Sequence, residues 1–156
     1  MLDYREWEKT VPTCIRRDAL WSEHVYRLAL FVADTGWEDV ATLTRDRRTM
    51  STVDQLVRAL GSISANIAEG YSRGSGRDRC RFYEYALGSA RESRDWYYKL
   101  RHVLGSELIE HRLNILTEVI RLLLAIIPKE RSLRVGEPEA VYDVAAEPVE
   151  LSLDGG

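Results

Sequence analysis

Cysteine is nearly absent from this 156-residue chain: Cys14 and Cys80 are the only two. That excludes a disulfide framework, and two isolated thiols make none of the ligand spacings of a zinc site. Histidine is also sparse. His24, His102 and His111 fit no H-E-x-x-H spacing, so neither a metal nor another cofactor is expected. No apolar run approaches the roughly 18 residues of a membrane-spanning helix. The nearest, Ile115 to Ile127, is broken by Thr117, Glu118 and Arg121. The opening MLDYREWEK lacks the apolar core of a secretory signal, which with two unpaired thiols predicts a reducing, cytoplasmic setting. Excess positive charge is missing too: 22 Lys and Arg face 25 Asp and Glu, for a net charge of −3. A strongly basic nucleic-acid binder reads well above neutral pI, whereas this chain reads about 5.7.

What is present is helical periodicity. Apolar side chains at Val53, Leu56/Val57, Leu60, Ile63, Ile67 and Tyr71 trace one face of a helix. After a glycine-punctuated turn a second periodic segment runs through Phe82, Tyr85, Ala86, Ser89, Ser93, Trp96 and Leu100. Capping chemistry sets the boundaries. Residues 1–17 form a polar leader with Pro12, expected to be poorly ordered or to lie on a neighbour. A first helix is predicted to start near Asp18 and stop near Gly36. Ser51 with Asp54 resembles a capping box opening the second helix, and Gly74 can end it. Ser75 with Asp78 caps the third, which is expected to reach Leu104, with Gly105 as its stop. Ser106 caps the fourth, which is expected to end at Pro128. Residues 129–156 hold three basic and seven acidic side chains and no sustained period, so they read as a flexible acidic tail. The fourth helix is apolar on more than one face after Leu116. That surplus predicts an oligomer interface at Leu123, Ile126 and Ile127.

Arginine dominates the cations, with lysine only at Lys9, Lys99 and Lys129. Its planar fork grips phosphate and carboxylate alike, so the bias suits RNA and inter-subunit ion pairs equally, and a GC-rich coding bias yields the same composition. Arg73, Arg77, Arg79 and Arg81 bracket the turn where free backbone N–H groups open the third helix, an arrangement that favours RNA phosphate; a solvated charged turn is the plainer reading. Asn66 and Glu69 sit three residues apart and read as structural polar groups, with Ser89, Arg91, Arg94 or a neighbouring subunit as partners. Tyr83, Tyr85, Tyr97 and Tyr98 can stack bases, but at helical spacing they read first as core or interface aromatics. Gly70, Gly74 and Gly76 follow no strand and so form no dinucleotide fingerprint. Glu84 and Asp95 have no pocket pairing them as an acid and a base, and no enzyme is expected.

The run SISANIAEGYSRGS, followed by RFYEYALGSARES, resembles the signature of a four-helix-bundle family. That family includes proteins encoded by intervening sequences in bacterial large-subunit ribosomal RNA genes and the accessory variability determinants of diversity-generating retroelements. The matching positions are Ser62, Ile63, Asn66, Ile67, Ala68, Glu69 and Gly70, then Phe82, Tyr83, Gly88 and Ser89, and the likeness covers about residues 20–127. The resemblance implies an up-down bundle assembling into a ring, usually a pentamer, with RNA or ribonucleoprotein binding in one branch of the family; it does not imply an enzyme.

The expectation is thus an all-α, antiparallel up-down four-helix bundle over residues 18–128, forming a homo-pentamer. It would act as a non-catalytic binding and assembly module on RNA or on an RNA-dependent enzyme such as a retroelement reverse transcriptase. The alternative is a protein-interaction scaffold without nucleic acid, which the near-neutral bundle and the acidic tail favour.

Overall fold

A computed structural model describes residues 2–132, and every regular element among them is helical. The chain opens with two short helices, α1 (Tyr4–Thr10) and α2 (Thr13–Arg16). The Asp3 carboxylate caps α1 by accepting from the N–H groups of Arg5 and Glu6. The leader is therefore ordered and lies on its own chain. The reason is an apolar pair at helical spacing inside a polar stretch: Trp7 and Val11 bury against Phe31. The Trp7 indole keeps its polar end satisfied by donating to Asp34 at 2.7 Å.

Asp18 does act as a cap, but of the short 3-10 turn Ala19–Ser22. The first long helix, α3 (His24–Leu43), begins later and runs straight past Gly36. Gly36 is a point of close approach and not a stop, because a Cβ there would lie 2.7 Å from the Leu60 side chain. A 3-10 turn at Arg47–Thr49, capped by Asp46, leads into α4 (Met50–Tyr71). Ser51 is already inside α4, so the predicted capping box is replaced by the turn before it. The α4 stripe of Val53, Leu56, Leu60, Ile63 and Ile67 is buried as its period predicts. Ser72, in the right-handed helical conformation, is the C-cap. Gly70 admits the next helix, since a Cβ there would meet the Tyr83 ring at 2.9 Å.

Helix α5 (Gly76–Leu100) starts on the predicted cap, with Asp78 N–H donating to Ser75 Oγ at 3.1 Å. Its buried face keeps Ala86, Ser93 and Leu100 of the predicted one but is rotated at the other predicted positions. Tyr83, Leu87, Ala90 and Tyr97 are inside, while Phe82, Ser89 and Trp96 are half-buried and Tyr85 is exposed. The doublets Phe82-Tyr83, Tyr85-Ala86 and Trp96-Tyr97 let either phase look apolar. The helix also ends at Leu100, short of Leu104.

The last helix, α6 (Ser106–Ser132), passes through Pro128 instead of ending there. Pro128 lies in the final turns on the exposed side, where the missing N–H frees only one upstream carbonyl. Lys129 to Ser132 complete α6, and the remainder of the predicted tail lies outside the described residues.

The long helices share one core. α5 packs on α4 and α6, and α3 on α4 and α6. α5 and α6 run in opposite directions, because Arg79 meets Glu130 while Arg94 meets Thr117. The surplus apolar surface of α6 is largely absorbed within the chain: Leu123 and Ile127 are core residues, Ile126 packs against the core, and Ile115 touches both the core and the Trp7 cluster. The interface predicted at Leu123 and Ile127 is corrected accordingly. No helix among the described residues is long and apolar enough to cross a membrane.

Candidate nucleic-acid interface

The four arginines around the α4–α5 turn do different jobs. Arg79 fastens the start of α5 to the end of α6, pairing with Glu130 at 2.6 Å and donating to the Arg73 carbonyl at 2.9 Å. Arg73 folds back on Glu69, one helical turn earlier, and lies over the Phe82 ring at 4.8 Å. Arg81 donates to the Tyr85 hydroxyl at 2.9 Å and stays solvent-exposed. Arg77 is exposed and has no partner among the described residues. Of the predicted corner, then, Arg77 and Arg81 remain available to a ligand, Arg73 is held by a half-exposed pair that water weakens, and Arg79 is structural.

Arg77 and Arg81 open onto a cleft of about 790 Å³ that Asp78, Cys80, Glu84 and Arg131 complete. The cleft lies at one end of the seam between α5 and α6. Farther along, Arg91, Arg94, Asp95, Tyr98, Leu113 and Thr117 line a second cleft of about 380 Å³. A third, of about 340 Å³, shares Tyr98 and Leu113 and adds Arg101. The α6 side offers Leu113, Thr117, Leu124 and Arg131, whose spacing of four or seven puts them on one helix face. Leu124 is 48% exposed and Tyr98 54% exposed, with the Arg101 guanidinium 4.1 Å from the Tyr98 ring centre.

Several acids along the seam are already engaged: Glu84 with Arg131, Asp95 with Lys99, and Asp78 with Ser75. Arg91 has no partner among the described residues, and Arg94 reaches only Thr117 Oγ1 at 3.5 Å. Such a row can hold successive phosphates with its guanidinium forks, beside a Tyr98 ring that Arg101 covers on one face. Among the described residues no group of three or more His, Cys, Asp or Glu is placed to hold a metal.

The polar signature residues behave otherwise than predicted. Asn66 Nδ2 donates to the Ser62 carbonyl at 2.7 Å and to Ser62 Oγ at 3.0 Å, both on its own helix. Glu69 pairs with Arg73, and the Ser89 hydroxyl donates to the Tyr85 carbonyl at 3.1 Å. Among the described residues, none of these bonds joins α4 to α5. A donor with an acceptor one turn behind it, on the same helix, needs no partner across the interface.

A fully buried polar cluster that crosses helices carries no motif in the sequence. Arg112 on α6 and Asp39 on α3 are 1% and 3% exposed. They form a two-pronged pair, with Arg112 Nε donating to Asp39 Oδ2 at 2.8 Å and Nη2 to Oδ1 at 3.1 Å. Tyr97 of α5 donates its hydroxyl to the same Oδ2 at 2.7 Å. Burial, followed by the Asp39 charge, pushes the Tyr97 phenol far above its ordinary range, so it remains a donor. Burial opposes the Arg112 charge, yet the Asp39 carboxylate more than compensates and raises its pKa. Arg112 Nη1 also sits 2.9 Å from His111 Nδ1, and burial together with that guanidinium pushes His111 below its ordinary value. The sequence did carry a signal. Arg112 falls between Ile109 and Leu116, and Asp39 between Gly36 and Leu43, both in the phase of buried stripes.

Against known proteins, residues 23–125 match a family model described as 23S rRNA-intervening sequence protein. A crystal structure from Bacteroides thetaiotaomicron, of a protein with unknown function from the S23 ribosomal protein family, aligns with a TM-score of 0.62 at 28% identity. The alignment covers 66% of this chain and 97% of that one. No curated protein matches.

Proposed function

The chain belongs to the 23S rRNA-intervening sequence protein family, and on that premise we propose that it is a non-catalytic, homo-oligomeric module that binds RNA. The observation that carries this reading is the row of exposed arginines along the α5–α6 seam: Arg77, Arg81, Arg91 and Arg101, with Arg94 half-buried beside them. A row of this kind contacts phosphates, so it positions an RNA without reading its sequence. The long helices form an up-down bundle in this reading, and copies close into a pentameric ring that repeats the seam around its circumference. A reverse transcriptase working on the bound RNA is the protein partner that suits such a ring. Light scattering is expected to give about 90 kDa, five times the 17.9 kDa chain. A monomer at micromolar concentration removes the ring.

RNA binding is tested by fluorescence anisotropy with a labelled single-stranded RNA over a salt series. Affinity should fall steeply with salt, because each neutralised phosphate releases condensed counterions. The variant carrying Arg91→Ala, Arg94→Ala and Arg101→Ala should keep its helicity, lose most of its affinity and show a flatter salt slope. No binding by the wild type at low salt overturns the RNA reading. The scaffold alternative has one observation in its favour. Trp37 is 67% exposed beside a small cleft of about 130 Å³ lined by Ala33, Val57, Leu60 and Gly61. Large exposed aromatics of this kind anchor protein partners.

A further inference from the structure

We propose that the α5–α6 seam is also the docking site of the chain's own C-terminal segment, residues 133–156, which covers the seam arginines until RNA displaces it. The docking is a matter of this chain's surface alone, whereas its regulatory meaning rests on the RNA reading above.

Position is the first argument. Helix α6 ends at Ser132, and its penultimate residue, Arg131, lines the large cleft at one end of the seam. The segment therefore leaves the fold at the mouth of the groove. Reach is no obstacle. Twenty-four residues extend to roughly 80 Å, whereas α5, with 25 residues, is about 37 Å long.

Chemistry is the second argument. The seam offers Arg77, Arg81, Arg91 and Arg101 on its α5 side and exposed Leu124 on its α6 side, with Tyr98 between them. The segment carries Glu137, Glu139, Asp143, Glu147, Glu150 and Asp154 against Arg134 alone, interleaved with Val141, Tyr142, Val144, Val149, Leu151 and Leu153. Acids among apolar residues complement arginines beside apolar residues, whereas RNA matches only the charge and the Tyr98 face. The net charge of −3 arises in this segment, since the rest of the chain is positive without it. Tethering adds to the match. A segment covalently attached so close to its site acts at an effective concentration on the order of millimolar, enough for individually weak ion pairs to hold it.

The test uses the full chain and two readouts. In the first, carbodiimide joins segment carboxylates to the Lys99 amine, which lies on α5 next to Tyr98, and mass spectrometry maps the products. Links from the segment to Lys99 within one chain are expected. They should disappear in the Arg91→Ala, Arg94→Ala, Arg101→Ala variant and in high salt. Links that survive the triple substitution show that the seam arginines do not hold the segment and overturn the proposal. So do links found only between isotopically different chains, which would make the occupant a neighbour's segment.

The second readout is the affinity for a labelled oligouridine of a variant with Gln or Asn at the six acidic positions. Relief of the competition should tighten binding roughly tenfold or more at low salt. Absent links together with unchanged affinity overturn the proposal. Links to Lys99 with no oligouridine binding by either protein would overturn the RNA reading and leave the docking standing.

Discussion

Arg112 and Arg91 lie on adjacent helices, and the same side chain has opposite surroundings in the two places. Around Arg112 the guanidinium is buried and held by Asp39, whose carboxylate also accepts from Tyr97. Along the seam Arg91 meets water and no partner among the described residues. The buried arginine is held in one geometry and is unavailable to any ligand. Arg91, like Arg77, has no partner among the described residues that fixes its geometry, and that leaves it free to bind. Sequence composition counts both as the same cation, so the total charge of the chain says little about what it can hold.

The comparison is broken most severely by Arg112→Ala. The change leaves Asp39 buried without its counter-charge and should cost about 3–5 kcal/mol, read by urea denaturation. Replacing both partners, with Arg112→Met and Asp39→Leu, should recover part of that loss, because no buried charge remains while the Tyr97 hydroxyl loses its acceptor. A single-variant cost under about 1 kcal/mol would mean that the pair behaves as a surface pair.

Trp7→Ala asks whether the N-terminal segment belongs with the buried region. Removing a large buried aromatic should cost about 3 kcal/mol and lower the thermal midpoint. A negligible change would show that α1 is an ornament on the surface.

His111 sharpens the buried side through pH. Its folded-state pKa is lowered, so the unfolded chain binds the proton more readily. The contribution from His111 is complete above the ordinary histidine value of about 6.5, and it is lost as pH falls through the lowered folded value. Melting curves between pH 8 and pH 5 should show a smaller acid-side loss in His111→Gln than in the wild type. The smallest effect belongs to the seam, where Arg91→Ala should change stability by no more than about 0.5 kcal/mol, in the same denaturation assay.

The residues show why one part of this picture was legible beforehand and another was not. The α4 stripe could be read because Val53, Leu56, Leu60, Ile63 and Ile67 have polar or small neighbours on the other faces, so only one phase fits. In α5, aromatic doublets satisfied two phases, and the wrong one put Tyr85 inside and left out Tyr97. Local propensity disfavours glycine within a helix and so predicts a stop at Gly36, whereas the close approach of Leu60 overrides that preference. The arginine corner was visible as a cluster, but its division into Arg79 held by Glu130 and Arg77 left free depends on where α6 returns, about fifty residues later. Arg112 and Asp39 stand in the apolar phase of their helices, but a charged side chain at such a position is usually solvated, so phase and charge point opposite ways there.

Asp39 and Arg112 are 73 positions apart in the chain, whereas α4 and α5 are joined by a short turn and can meet early. Before α6 comes down on α3, both charges are hydrated and neither gains anything from the other. The return of α6 strips water from the two together. A helix that lands one turn out of place dehydrates them apart, a state that releases itself quickly. The pair thus works as a check made at closing time. Formed at that closing step, it is expected to contribute little to the speed of folding and to set how slowly the closed chain comes open. In stopped-flow experiments, losing Arg112 should therefore speed unfolding and leave the folding rate close to its original value.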